Sequence, residues 1–188
     1  MTGSPIIRGA AALFAASILV GGQSIASAAK IPTYMAAIVD STNKRIGFAR
    51  FVQVDTGGVQ ITVDVSGLPP GKHGIHLHEI GSCNTLRDTT GTPTIFGAAG
   101  GHFDPKMTMS HKGPDGGGHA GDLPVLDVDD AGNARLAFFD SAVDARGAQS
   151  IVGRAIIIHA NVDNYTDTPM NGGSGARIAC GEIGAAVQ

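Results

Sequence analysis

The sequence predicts an all-β domain of about eight short antiparallel strands, folded as a sandwich or barrel that carries two long loops. Three observations predict it. Short segments rich in apolar residues recur between turn residues, and no stretch sustains a long amphipathic helix. Two stretches rich in Gly, Pro, Asp, Thr and Ser, at 81–123 and 160–176, break the strand pattern.

The first strands are expected at 34–39, 45–54 and 59–65. The third alternates cleanly, with Val59, Ile61, Val63 and Val65 on one face and Gln60, Thr62 and Asp64 on the other. Thr56-Gly57-Gly58 reads as the hairpin turn before it. Pro69-Pro70-Gly71 ends this run, and a histidine-bearing strand follows over 71–79. Strands resume at 125–128 and 134–139 around an Asp-Asp-Ala-Gly-Asn turn, then at 151–159, with 177–184 closing the chain. A loop as long as 81–123 is uncommon in a compact domain unless it serves function, and a metal and a disulfide would order it.

Residues 1–28 read differently from the rest. Arg8, an apolar run over 9–22 and the small residues Ala26-Ser27-Ala28 have the layout of a secretory signal peptide. The run is shorter than the ~20 residues a bilayer span needs. Cleavage there leaves 160 of the 188 residues, enough for one domain at 29–188. The expected location is periplasmic or secreted, without membrane attachment after cleavage. Formal charge is −3, and becomes −4 without Arg8, which argues against a nucleic-acid partner. In an oxidising compartment the even count of Cys83 and Cys180 reads as a disulfide, with two separate buried thiols as the alternative.

The chemistry centres on residues 71–79, Gly-Lys-His-Gly-Ile-His-Leu-His-Glu, which hold three of the seven histidines. In a strand, His76 and His78 leave the same face roughly 7 Å apart and can reach one metal ion. His73 has the parity of Ile75 and Leu77, so it is expected toward the core in a structural role. His102, His111 and His119 fall within the first long loop, and Asp122 follows; three imidazoles and one carboxylate complete a tetrahedral zinc set. His159, ending its strand, is left to join His76 and His78, and imidazoles on rigid strands suit copper. A zinc hydrolase is the rival from the residues alone, but no nucleophile or HExxH-type base accompanies the histidines.

These residues sit in blocks that resemble the copper/zinc superoxide dismutases, of the secreted bacterial type, over about 68–183. Beside the nonapeptide these are Gly-Gly-His102-Phe-Asp-Pro, His111-Lys-Gly-Pro, Gly-His119-Ala-Gly-Asp122-Leu-Pro, His159-Ala-Asn-Val-Asp163-Asn and Gly-Ala-Arg177-Ile-Ala-Cys180-Gly. The resemblance implies a Greek-key β-barrel with one copper and one zinc per chain. It implies copper on His76, His78, His102 and His159, zinc on His102, His111, His119 and Asp122, and His102 bridging the two. It makes Asp163 the carboxylate that orients His76 and His111, His73 a buried brace for the copper site, and Cys83 and Cys180 a disulfide.

It further implies that superoxide anion is disproportionated to O₂ and H₂O₂ by alternating Cu(II) and Cu(I). Arg177 would attract the anion, and His102 would carry a proton. From the residues alone, Asp163 would be read as a turn former and Arg177 as a surface arginine. The alternative within the same fold is a copper carrier or metal-binding domain without dismutase activity; a zinc-only domain would not need His76, His78 and His159. Low aromatic content offers no dimer anchor, and a homodimer is left open.

Overall fold

The computed structural model describes residues 1–3 and 31–184. Beyond its first three residues, the expected signal peptide lies outside them. Among the described residues, no helix is long and apolar enough to cross a membrane.

The strands are β1 Thr33–Asp40, β2 Arg45–Gln53, β3 Val59–Ser66, β4 Gly71–His73, β5 Ile75–His78, β6 Leu86–Arg87, β7 Pro93–Thr94, β8 Leu126–Val128, β9 Asn133–Asp140, β10 Ala155–His159 and β11 Arg177–Glu182. Seven of them form one antiparallel sheet in the order β5-β10-β11-β1-β2-β3-β9, while β4 pairs with β8 and β6 with β7. β4 runs on into β5 at one edge of the large sheet, and β8 turns into β9 at the other. The β4–β8 ladder therefore draws the two edges together and curls the sheet toward a barrel.

The class is the one the sequence predicts, with eleven strands where eight were expected. The histidine strand divides at Gly74, whose N–H donates to the Asn161 carbonyl at 2.7 Å and whose carbonyl accepts from His159 N at 2.8 Å. There the chain leaves the β4–β8 ladder and joins the β5–β10 ladder. The strand expected over 151–159 begins only at Ala155, because Arg154 N closes a turn onto the Ile151 carbonyl at 3.1 Å. Within the first long loop, β6 and β7 add a short hairpin.

Alternation puts Val59, Ile61, Val63 and Val65 into the core against Ala36 and Ile38 of β1 and Ala49 and Phe51 of β2. The Gly57-Gly58 turn is as expected, with φ of 98° and 82°, a region open mainly to glycine. β10 is buried throughout, but its two faces go to different places. Ile156 and Ile158 enter the main core, while Ala155 and Ile157 pack with Phe96, Ala99 and Cys180 in a smaller cluster outside the sheet. That cluster lies under the first loop, which the Cys83–Cys180 disulfide, with Cα atoms 5.7 Å apart, ties to β11.

Candidate metal centre

The register of β5 on β10 decides which way the histidines point. His76 lies opposite Ile157 and His78 opposite Ala155, so both imidazoles share the outer face with those residues, while Ile75 and Leu77 enter the core. The free edge of β5 is covered by the loop. Leu77 N donates to the Gly121 carbonyl and Phe103 N to the Leu77 carbonyl, both at 2.9 Å. Bridges follow between His78 and His102 and between His76 and Asp122. Backbone pairing, rather than any side-chain contact, thus delivers two loop residues beside two strand histidines.

His76, His78, His102 and His159 form one group whose ligand atoms all lie within 4.8 Å of one another. Each ring is held by one nitrogen, leaving the other bare. His76 Nε2 donates to Asp163 Oδ2 at 2.6 Å, His78 Nδ1 to the Gly100 carbonyl at 3.0 Å, and His159 Nδ1 to the Gly175 carbonyl at 3.1 Å. Those acceptors fix the tautomers. His76 Nδ1, His78 Nε2, His102 Nε2 and His159 Nε2 are left buried without a partner. Four such nitrogens in one place would be a heavy penalty. A metal ion removes it.

Burial pushes His78 well below the ordinary histidine range, helped by His102 and Arg177. It lowers His102 to about 4 and, with His76, lowers His159 to about 3. Neutral imidazoles are what copper or zinc requires.

The second group gathers on Asp122 Oδ1. His111 Nδ1 lies 2.8 Å from it, His102 Nδ1 3.1 Å and His119 Nδ1 3.2 Å. One carboxylate oxygen cannot accept three hydrogen bonds well, and a neutral His111 spends its one ring N–H on Asp163. Tetrahedral ligands on bonds of about 2.0–2.1 Å are roughly 3.3 Å apart, close to these separations. His76 also comes within 4.8 Å of His102, His111 and Asp122. Its Nε2 belongs to Asp163, however, and its bare Nδ1 belongs to the first group, so His119 is the better fourth member.

Asp163 joins the two groups. Its carboxylate accepts from His76 Nε2 and, at 2.8 and 2.9 Å, from His111 Nε2. Burial alone would raise its pKa, but the His111 and His76 hydrogen bonds hold it below the usual carboxylate range. In the metal-free chain the same contact works on His111. Burial opposes its charge, yet Asp122 and Asp163 on either side raise it to about 9. Gly172, at φ 68°, packs on this carboxylate so closely that any Cβ would strike Asp163 Oδ1. His73 is buried between two carbonyls, those of His159 at 2.7 Å and Pro69 at 2.8 Å, and so braces the chain beside His159.

Arg177 is half-buried. Its Nη1 donates to the Phe96 carbonyl at 2.7 Å and its Nη2 to the Gly100 carbonyl at 2.6 Å. The guanidinium thereby borders a cavity of about 250 Å³ with His78, His102, His159 and Gly175. The Gly100 carbonyl serves twice, since it also sets the His78 tautomer. Sequence reasoning missed five contributors: the Phe96, Gly100 and Gly175 carbonyls, which carry no residue-type signal; Asp167, whose Oδ1 accepts from His111 N at 2.6 Å; and Tyr165, whose hydroxyl accepts from Val125 N at 2.7 Å.

Comparison with known proteins points the same way. Residues 45–183 match the family model described as copper/zinc superoxide dismutase (SODC). The chain is 40% identical over 169 residues to the Cu-Zn superoxide dismutase of Deinococcus radiodurans, spanning 87% of this chain and 92% of that one. It is 40% identical over 139 residues to that of Escherichia coli K12, spanning 73% and 78%. The solved Cu/Zn superoxide dismutase from Brucella abortus superposes with a TM-score of 0.72 at 35% identity, covering 80% of this chain and 99% of its own. Match, fold and paired histidine groups agree, and the chain belongs to the copper/zinc superoxide dismutase family.

Proposed function

We propose that His76 Nδ1, His78 Nε2, His102 Nε2 and His159 Nε2 hold the copper, and that His102 Nδ1, His111 Nδ1, His119 Nδ1 and Asp122 hold the zinc. The activity is disproportionation of superoxide to O₂ and H₂O₂, with copper and zinc as the cofactors. The observation that carries the residue assignment is the set of four buried, partnerless ring nitrogens, three of them on histidines lining a cavity that Arg177 also lines.

Bound copper supplies one-electron exchange with the substrate. The chain does the rest. Arg177 offers the anion those guanidinium N–H groups not already given to the Phe96 and Gly100 carbonyls, and its charge draws superoxide into a cavity sized for small molecules. His102 is the proton carrier. Its Nε2 faces the copper group while its Nδ1 stays turned to Asp122, so a proton taken at Nε2 can be handed to reduced substrate without the ring leaving its place. Asp163, holding His76 and His111 together, keeps both groups in register. A copper carrier of the same fold is the weaker reading, since it has no use for a guanidinium pinned by two carbonyls at the mouth of the cavity.

The test is metal content and superoxide disproportionation on one sample, before and after copper reconstitution. About one copper and one zinc per chain, with activity proportional to copper, is expected. Full copper without activity would favour the carrier. We also propose that residues 1–28 are a removed signal peptide and that the enzyme works in the periplasm or outside the cell. N-terminal sequencing of the native protein should find its start near residue 29.

A further inference from the structure

Met170 differs in kind from the other groups lining the cavity. It opens the 3-10 turn Met170–Gly173 and is 81% exposed, yet it lines the same space as His78, His102, His159 and Arg177. A single exposed apolar residue needs no explanation. Met107 and Met109 are as exposed, at 81% and 83%, and do not line this cavity. Two features set Met170 apart from them.

The first is its anchorage. Gly172 N donates to the Thr166 carbonyl at 3.0 Å, Asn164 N to the Gly172 carbonyl at 3.1 Å, and the buried Ser174 hydroxyl to the Asn171 carbonyl at 3.0 Å. Gly172 packs directly on Asp163. The turn that displays Met170 is thus fastened to the carboxylate that orients His76 and His111. The second is what the cavity contains: His78, His102 and His159, each with a buried and partnerless Nε2.

A thioether is a soft donor that favours Cu(I), whereas imidazole also serves Cu(II) well. We propose that Met170 is an entry ligand for cuprous copper. Its sulfur takes Cu(I) at the cavity mouth from a soft-donor complex and passes it inward to the imidazoles. No electron moves; one Cu–S bond forms as a bond to the soft donor breaks and leaves with that donor, and the Cu–S bond breaks in turn as Cu–N bonds form. The exposed side chain is free to swing while the turn that carries it is tied down. The inference rests on the assignment of the four nitrogens to copper.

The test uses the full protein with zinc retained and copper removed. Under anaerobic conditions it is mixed with the Cu(I)–bicinchoninate complex, and loss of the complex's colour gives the loading rate; loading of aqueous Cu(II) is followed in parallel. M170L is expected to take up Cu(I) roughly tenfold more slowly than the parent, equivalent to about 1.4 kcal/mol on the barrier. Its Cu(II) rate and final copper content should match the parent, and M107L should match it throughout. Equal Cu(I) rates for M170L and the parent would overturn the role of Met170 while leaving the copper site standing. Equal slowing of Cu(I) and Cu(II) would overturn it too, by showing that the side chain only shapes the opening. Failure of the parent to bind either ion would overturn the site assignment and this inference together.

Discussion

His76, His78 and His159 ride on strands, whereas His111, His119 and Asp122 ride on a loop, and the two groups are held by different forces. Each strand histidine sits in a ladder whose neighbours, Ile75, Leu77, Ile156 and Ile158, are fully buried, so its direction is set by the core. The loop residues have no extended ladder: Asp122 makes one isolated bridge to His76, and His111 and His119 make none. They are aligned by single hydrogen bonds: His111 N to Asp167, His119 N to the Ser110 carbonyl at 2.9 Å, and Lys112 N to Asp122 Oδ2 at 3.1 Å. The contrast predicts that the strand group is preorganised by folding, whereas the proposed zinc binding at the loop group contributes to folding itself.

The strongest way to break that comparison is a pair of variants. Asp122→Ala is expected to abolish tight zinc binding and lower the thermal midpoint by ~10 °C, with faster amide exchange over 101–122. His78→Ala should abolish dismutase activity while lowering the midpoint by only ~3–5 °C. Equal losses of stability in calorimetry would show that the strand group is no more preorganised than the loop group. Asp163→Asn comes next. Because one carboxylate orients a histidine of each group, both metals should bind roughly 10–100-fold more weakly in chelator competition. Weakening of one metal alone would mean the groups are independent.

Arg177→Ala should touch only the strand side. At low ionic strength kcat/KM is expected to fall about tenfold and to lose much of its salt dependence, with metal content unchanged. An unchanged rate at low salt would remove Arg177 from substrate capture. The smallest effect belongs to Asp140, at the end of β9, which shares a cleft with Asp115 and His119 of the zinc-side loop. Burial, with Asp115 adding to it, pushes Asp140 up to about 6 from 3.8. The folded protein therefore keeps a proton that the unfolded chain has released, so stability falls as pH rises from about 4 and the loss is complete above about 6. Asp140→Asn should stabilise the fold by about 1–2 kcal/mol at pH 7, and the gain should vanish below pH 4 in urea denaturation.

Strand periodicity made the β5 histidines legible, because a two-residue spacing in a strand has one geometric meaning. β3 was legible for the same reason. No such rule operates in a loop: the spacings of His102, His111 and His119 are compatible with many shapes, so their grouping with Asp122 rested on donor chemistry, and the bridging place of His102 on the family resemblance. The division of the histidine strand at Gly74 was hidden, since it depends on a hydrogen bond to Asn161, far along the chain. Hidden as well were the carbonyls that set ring tautomers and hold Arg177, because every residue type carries one. Asp167 offered only a carboxylate among several in a polar loop.

The Gly100 carbonyl has a further consequence. Gly100 has φ 77°, and a Cβ there would press into the Glu79 side chain. The position therefore admits little but glycine, although it contributes no functional group of its own. In a saturation scan, replacing it should disturb anion capture through Arg177 and metal geometry through His78 in a single step. The sites most vulnerable to inactivating mutation would then include one that an inventory of reactive side chains leaves out.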